Sequence, residues 1–215
     1  MAKFLQINGR AAVAHVFDPI ARFLLRARVT PNMVTVAGTV GVIAGALVFA
    51  FTGRFITATV IITLSAFTDL IDGTMARQRI AAGIPNGKFG ALLDSTCDRI
   101  ADAATFGAGA YWLASHHRPD AAAAALVTLV TGVAVSYAKA RAEGLGFTAN
   151  VGLVERAERL ILLGVGAIIE GLGVKYAIDV ALWILAAGSA FTIYQRMHTV
   201  YLQDQAALAA AESSP

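Results

Sequence analysis

Four aspartates in a strongly apolar chain carry the first chemical signal: Asp69-x-x-Asp72-Gly73-x-x-Ala76-Arg77, then Gly90-x-x-x-Asp94-x-x-x-Asp98. On a helix the first group falls at i, i+3, i+4, i+7 and i+8, which is one face. The second recurs at steps of four, again one face. Each face pairs two carboxylates with a small residue that lets another group approach the backbone. Carboxylates are hard oxygen donors, so the two faces together would hold one or two divalent cations, Mg²⁺ or Mn²⁺. Such cations are commonly completed by phosphate oxygens and water, and a paired-metal site can clamp a pyrophosphate. Gly73 and Ala76 leave room for a bulky polar group, and Arg77 extends the same face towards phosphate. Two blander readings stay open: buried ion pairs with Arg77 and Arg99, and a proton or cation path through a transporter. Against the first, four acids facing two arginines leave charge unbalanced. Against the second, the acids gather at one end beside a basic loop.

The elements that position these acids must be membrane helices. The chain of 215 residues is 57% hydrophobic and only 14% charged, with mean hydropathy +0.67. Soluble domains carry roughly a quarter charged residues. About six apolar stretches approach the ~20 residues needed to cross a bilayer. They are expected near 33–52, 56–77, 89–115, 120–142, 155–172 and 176–199, giving an all-α polytopic protein with six transmembrane helices. The N-terminus is polar and its first apolar pattern amphipathic, so no cleavable leader is expected. The single cysteine, Cys97, excludes an intramolecular disulfide and a cysteine-rich metal site, and it points off the carboxylate face.

Charge placement gives orientation. Lys3, Arg10, Arg22, Arg26, Arg28, Arg77, Arg79, Lys88, Lys139, Arg141, Arg156, Arg159 and Arg196 would share one side of the membrane with both termini. The other side keeps little beyond Arg54, Arg118 and Lys175. The positive-inside tendency makes the basic side cytoplasmic and places the acids there, in the cell membrane. Basic residues at helix ends, with a net charge of only +3, make nucleic acid a poor partner.

Residues 1–31 read as an interfacial segment, residues 32–201 as one six-helix domain, and 202–215 as a disordered tail. In the first segment Val13, Val16, Phe17, Ile20, Phe23, Leu24 and Ala27 recur at helical spacing, with His15, Asp18, Arg22 and Arg26 opposite. That is the pattern of an amphipathic helix lying in the headgroup region. Asp18-Pro19 reads either as a break in it or as an N-cap with proline at the first helical position. Thr30-Pro31-Asn32 starts the first span. Gln78 to Lys88, with Gly83, Pro85, Asn86 and Gly87, must be the loop joining the two acid-bearing helices. His116 and His117, adjacent on a turn, point apart and read as loop residues.

Later cations bear on the substrate. Lys139 and Arg141 end the fourth span, Arg156 and Arg159 open the fifth, and Arg196 ends the sixth. Facing the same mouth, they would suit a phosphorylated molecule, because arginine grips phosphate through paired, charge-assisted bonds. Positive-inside anchoring and Glu–Arg surface pairs are the plainer account of the same residues.

The pattern D-x-x-D-G-x-x-A-R…G-x-x-x-D-x-x-x-D, with six spans after an interfacial helix, resembles the CDP-alcohol phosphotransferase family over nearly the whole chain. The resemblance implies attack of an alcohol on the β-phosphorus of CDP-diacylglycerol with loss of CMP. It implies Asp69, Asp72 and Asp94 on one Mg²⁺ and Asp69, Asp94 and Asp98 on another, with Asp98 also the general base. Thr30, Pro31, Asn32, Met33, Gly73, Arg77 and Gly87 would meet the CDP-lipid, and the protein would be a homodimer. Two departures stand out. The twelve residues from Gln78 to Phe89 exceed the family's usual connection, and Gly87 replaces a common Ser or Thr, leaving Asn86 as the nearby polar group. The runs Ser136-Tyr137-Ala138-Lys139-Ala140-Arg141, Glu155-Arg156-x-Glu158-Arg159 and Asp94 to Asp102 resemble the actinobacterial branch whose acceptor is inositol phosphate. Lys139, Arg141, Arg156, Arg159 and Arg196 become its implied phosphate ligands. Glycerol 3-phosphate is the alternative acceptor within the family. A prenyl transferase is disfavoured, since no Asp-Asp-x-x-Asp cluster occurs.

Overall fold

The computed structural model describes residues 16–85 and 87–212, and among them every regular element is an α-helix. The helices are α1 (16–26), α2 (Pro31–Thr52), α3 (Phe55–Ala66), α4 (Thr68–Ala81), α5 (Lys88–Ser115), α6 (Pro119–Gly144), α7 (Arg156–Gly171) and α8 (Ala177–Glu212). Four stretches are long and apolar enough to cross a membrane: Pro31–Thr52, Phe55–Ala81, Pro119–Gly144 and Ala177–Glu212. The protein is therefore a multi-pass membrane protein. The second stretch joins α3 and α4, because Phe67 between them keeps helical dihedrals (φ −65°, ψ −17°). The expected six spans meet this criterion only in part. In α5 the charges Asp94, Asp98, Arg99 and Asp102 dilute its apolar run, and the 16 residues of α7 reach only about 24 Å.

The chain divides into two compact units, residues 1–48 with 57–105, and residues 49–56 with 106–215. In the first unit a small-residue stripe on α2 lets the backbone approach α3 and α4. A Cβ at Gly45 would lie 2.8 Å from Ile62 Cγ1, and one at Gly38 would collide with Thr68. Helices in lipid gain close packing from such stripes. Ala21, Val34 and Met75 form a small core there, joined by Leu24, Leu25, Val29 and Ile71. Gln78 Nε2 ties α4 to α1, donating to Asp18 Oδ1 at 3.2 Å and Asp18 O at 3.3 Å.

The described part of α1 stays helical on both sides of Pro19, so the alternative of a break is not met in 16–26. Its apolar residues do not share one face. Ala21, Leu24 and Leu25 turn into the protein, whereas Val16, Ile20 and Phe23 are exposed. The earlier part of the expected interfacial segment, with Lys3, Arg10, Val13 and His15, lies outside the described residues, as does Asn86.

Several helix ends close in the same way. At α1, Arg28 N–H reaches Leu25 O and Val29 N–H reaches Leu24 O, with Arg28 at φ 62°. This is the Schellman arrangement, whose left-handed residue is usually glycine. Gly83 fills that place after α4, and His117 (φ 58°) after α5. Side chains at such angles cost roughly 1 kcal/mol or more.

The second unit is cored by Phe106, Leu113, Ile178, Leu182 and Leu185 with small alanines of α6 between them. Phe49, Phe55 and Trp112 cluster with centroids 5.0 to 5.4 Å apart. Arg118, Glu170 and Asp179 form an ion triad joining the starts of α6 and α8 to the end of α7. The tail expected to be disordered from 202 is instead helical to Glu212. Its alanine-rich run favours helix, and Gln203 anchors it, accepting from Thr148 N–H at 3.0 Å and donating to Thr148 O at 2.6 Å.

Candidate active site

The site begins with the start of α2. Thr30 caps it, accepting Met33 N–H on its hydroxyl at 3.3 Å, and Pro31 occupies the first helical position, where no N–H is needed. Asn32 reaches towards α5: a Cβ on Gly90 would stand 3.4 Å from its Oδ1. The turn Thr30 to Met33 and the acid-bearing part of α5 are thus near one another, and Met33 is exposed.

Asp69 lies in the first turn of α4, and Asp94 and Asp98 lie one turn apart on α5. One oxygen from each comes within 4.8 Å of the other two, with Asp94 exposed and the others half-buried. At an effective dielectric of about 20, two like charges about 5 Å apart repel by roughly 3 kcal/mol. Arg99 Nη2, 3.4 Å from Asp98 Oδ2, pairs with one of the three acids. Three clustered carboxylate oxygens form a hard, anionic donor set, and they fit a divalent cation of the Mg²⁺ or Mn²⁺ class.

Asp72 is placed differently from its three companions. It is buried, and its Oδ2 accepts the Thr35 hydroxyl at 2.5 Å. Nothing in the sequence pattern singles out Thr35, because threonines in apolar helices usually bond their own backbone. Arg77 is exposed and donates to Thr74 Oγ1 at 2.8 Å, so the ion-pair reading through Arg77 gains no support. Gly73 has only Arg77 Nη1 near its missing Cβ, at 3.5 Å, and Gly87 has open space around it. Both glycines leave room for a ligand group. Asp102, one turn past Asp98, is buried.

The later cations belong to the second unit and differ sharply from one another. Lys139 is half-buried and Arg141 exposed at the end of α6. Arg156 is half-buried, but Arg159 is 1% exposed, its guanidinium 3.2 Å from where a Cβ on Gly132 would stand. Glu155 and Glu158 form a capping box at the start of α7. Arg196, 3% exposed, donates from Nε to Val151 O at 2.9 Å, from Nη1 to Val135 O at 2.6 Å and from Nη2 to Glu155 Oε1 at 2.5 Å. Every nitrogen of its guanidinium is therefore engaged with the protein. Arg196 is thus committed to the protein, its donors meeting the buried Val135 carbonyl and the part-buried Val151 carbonyl of the loop before α7.

A family model described as CDP-alcohol phosphatidyltransferase matches residues 28–194. The chain is 48% identical over 195 residues to a phosphatidylinositol phosphate synthase of Corynebacterium glutamicum, spanning 90% of this chain and 87% of that protein. It is 46% identical over 200 residues to one of Streptomyces avermitilis, spanning 89% and 80%. Its structure is similar to the Mycobacterium tuberculosis phosphatidylinositol phosphate synthase crystallised with CDP-DAG bound, with TM-score 0.80 and 40% identity over 87% of this chain and 94% of that one. The Mycobacterium tuberculosis enzyme in complex with manganese and citrate gives TM-score 0.79 at 40% identity, over 85% and 88%.

Proposed function

The chain belongs to the CDP-alcohol phosphatidyltransferase family, and we infer from its likeness to phosphatidylinositol phosphate synthases that it makes a phosphoinositide. It transfers the phosphatidyl group of CDP-diacylglycerol to inositol phosphate, releasing CMP and giving phosphatidylinositol phosphate. The single observation that carries this reading is 48% identity to a phosphatidylinositol phosphate synthase along 90% of the chain. The convergence of Asp69, Asp94 and Asp98 supports it independently.

Asp69, Asp72, Asp94 and Asp98 are the residues that would hold two divalent cations, Mg²⁺ or Mn²⁺. Bound there, the ions would draw charge from the pyrophosphate and stabilise the departing CMP. Thr30, Pro31, Asn32 and Met33 close over the nucleotide, Gly73 and Gly87 admit it, and Arg77 meets a phosphate. Asp98 accepts the proton of an inositol hydroxyl as that oxygen attacks the β-phosphorus and the bond to the CMP oxygen breaks. Lys139, Arg141, Arg156 and Arg159 receive the phosphate of inositol phosphate, with Arg196 supporting them. Aligning two bound substrates in this way can itself remove several kcal/mol of barrier.

In this reading α5 and α7 complete six spans over 32–201, and α1 lies at the headgroups, with Val16, Ile20 and Phe23 towards lipid. The termini and the site face the cytoplasm of the cell membrane, and the protein is a homodimer. Purified protein in nanodiscs, given CDP-diacylglycerol with inositol phosphate, free inositol or glycerol 3-phosphate in turn, should release CMP with inositol phosphate alone. Chelation should stop release, and Mg²⁺ or Mn²⁺ should restore it. Exclusive use of glycerol 3-phosphate would overturn the acceptor, and CMP release with none of the three would overturn the reaction.

A further inference from the structure

Asp72 differs from the other acids in being buried at 7% exposure with a hydroxyl from another helix on one of its oxygens. That hydroxyl belongs to Thr35, itself only 6% exposed, one turn into α2. Thr35 has a single proton and two acceptors in reach, Asp72 Oδ2 at 2.5 Å and Pro31 O at 3.2 Å. The closer, charged acceptor takes it, because hydrogen bonds to carboxylates are roughly twice as strong as neutral ones. One oxygen of Asp72 is thereby fixed, and the side chain loses the freedom to turn the other away. The same contact links the first turns of α2, where Thr30 to Met33 lie, to the middle of α4.

We infer that Thr35 is a positioning residue, whose hydroxyl holds the Asp72 carboxylate for cation binding and couples the nucleotide-covering turn to the acid cluster. The inference rests on Asp72 being a ligand of the cation site described under the proposed function. It adds a member that touches neither cation nor substrate and that no motif carries. A threonine with a merely structural role would affect stability alone. A positioning role also changes affinity for the cation, with the hydroxyl as the only essential atom.

The test uses the full chain in detergent with Mn²⁺ as probe, free ion being read by electron paramagnetic resonance. Thr35→Val keeps the volume and removes the donor, and Thr35→Ser keeps the donor. Thr35→Val should weaken Mn²⁺ binding about tenfold or more and raise the KM for CDP-diacylglycerol, while kcat at saturating metal falls less. Thr35→Ser should stay within about threefold of wild type in both, in keeping with a single hydrogen bond to a charged group. Asp94→Asn serves as the control on the site itself. If Asp94→Asn weakens Mn²⁺ binding while Thr35→Val binds it as wild type does, the role of Thr35 is overturned and the cation site stands. If Asp94→Asn leaves Mn²⁺ binding unchanged, the cation site fails and the inference fails with it. Should Thr35→Val not fold, a Thr35→Ser protein with tenfold weaker Mn²⁺ binding would equally overturn the inference, since its hydroxyl is retained.

Discussion

Replacing Arg118 with methionine removes one cation facing two acids. In the native protein Arg118 Nη1 and Nη2 bond both oxygens of Glu170, and Nε and Nη2 bond both of Asp179. The side chains of Glu170 and Asp179 are 10% and 21% exposed, so little water is available to replace the lost partner. Burial works against the guanidinium's charge, yet the hydrogen bonds and charges of Glu170 and Asp179 outweigh it and hold the Arg118 pKa above its ordinary value. Breaking a fully buried pair costs about 3–5 kcal/mol. The residual exposure lowers the expectation to about 2–3 kcal/mol, because water screens part of the stranded charge. For a chain of this size that is roughly 5–10 °C of thermal stability. The assay is thermal unfolding in one detergent, followed by size-exclusion fluorescence. The triple change Arg118→Met with Glu170→Gln and Asp179→Asn should recover most of the loss, since removing every charge leaves none stranded. A single variant within 1 °C of wild type, or a triple variant no better than the single, would refute the reasoning.

Asp94→Asn and Asp98→Asn should each lower CMP release by about a hundred- to a thousandfold, the scale on which removing transition-state charge stabilisation acts, with the elution profile of the folded protein unchanged. His117→Gly should raise stability by roughly 0.5–1 kcal/mol, since it relieves a side chain held at φ 58°. Unfolding temperature checks this directly. Gly38→Val should lower stability by about 1–3 kcal/mol by forcing a side chain into Thr68, and the loss should appear as a lower yield of folded protein.

The acid-bearing helices were legible in the sequence because a polar residue in an apolar helix is costly, and its spacing then betrays a shared face. Asp69, Asp94 and Asp98 bring their oxygens together, whereas Asp72, which the same spacing sets beside Asp69, is buried against Thr35 outside that cluster. The start of α2 was legible in Thr30-Pro31-Asn32, where a proline that needs no N–H donor stands between two capping residues, and the structure uses Thr30 as the cap. Thr35 was not, since a hydroxyl in a membrane helix leaves no periodic mark. The split faces of α1 were missed because a helical wheel separates apolar from polar residues but cannot tell lipid from protein as the apolar partner. The helical end of α8 was missed because Gln203 gains its meaning only from Thr148, 55 residues away.

Arg196 shows why the acceptor residues resist assignment from sequence. A helix-end arginine near a proposed phosphate site fits both a ligand and a scaffold, and the pattern of residues is the same for either. The structure separates them through what surrounds the guanidinium: the carbonyls of Val135 and Val151 and the Glu155 carboxylate. Arg196→Lys keeps the charge but offers a point donor where a planar fork now bridges three acceptors. If Arg196 is a scaffold, this change should destabilise the protein by about 2 kcal/mol, the scale of leaving a buried acceptor unsatisfied. Glu155→Gln should reproduce part of that loss. The KM for inositol phosphate should then rise only as a consequence, through Arg156 and Arg159 on the helix that Glu155 caps. A lysine variant with native thermal stability and a tenfold higher KM would reverse the assignment and make Arg196 a direct ligand of the acceptor phosphate.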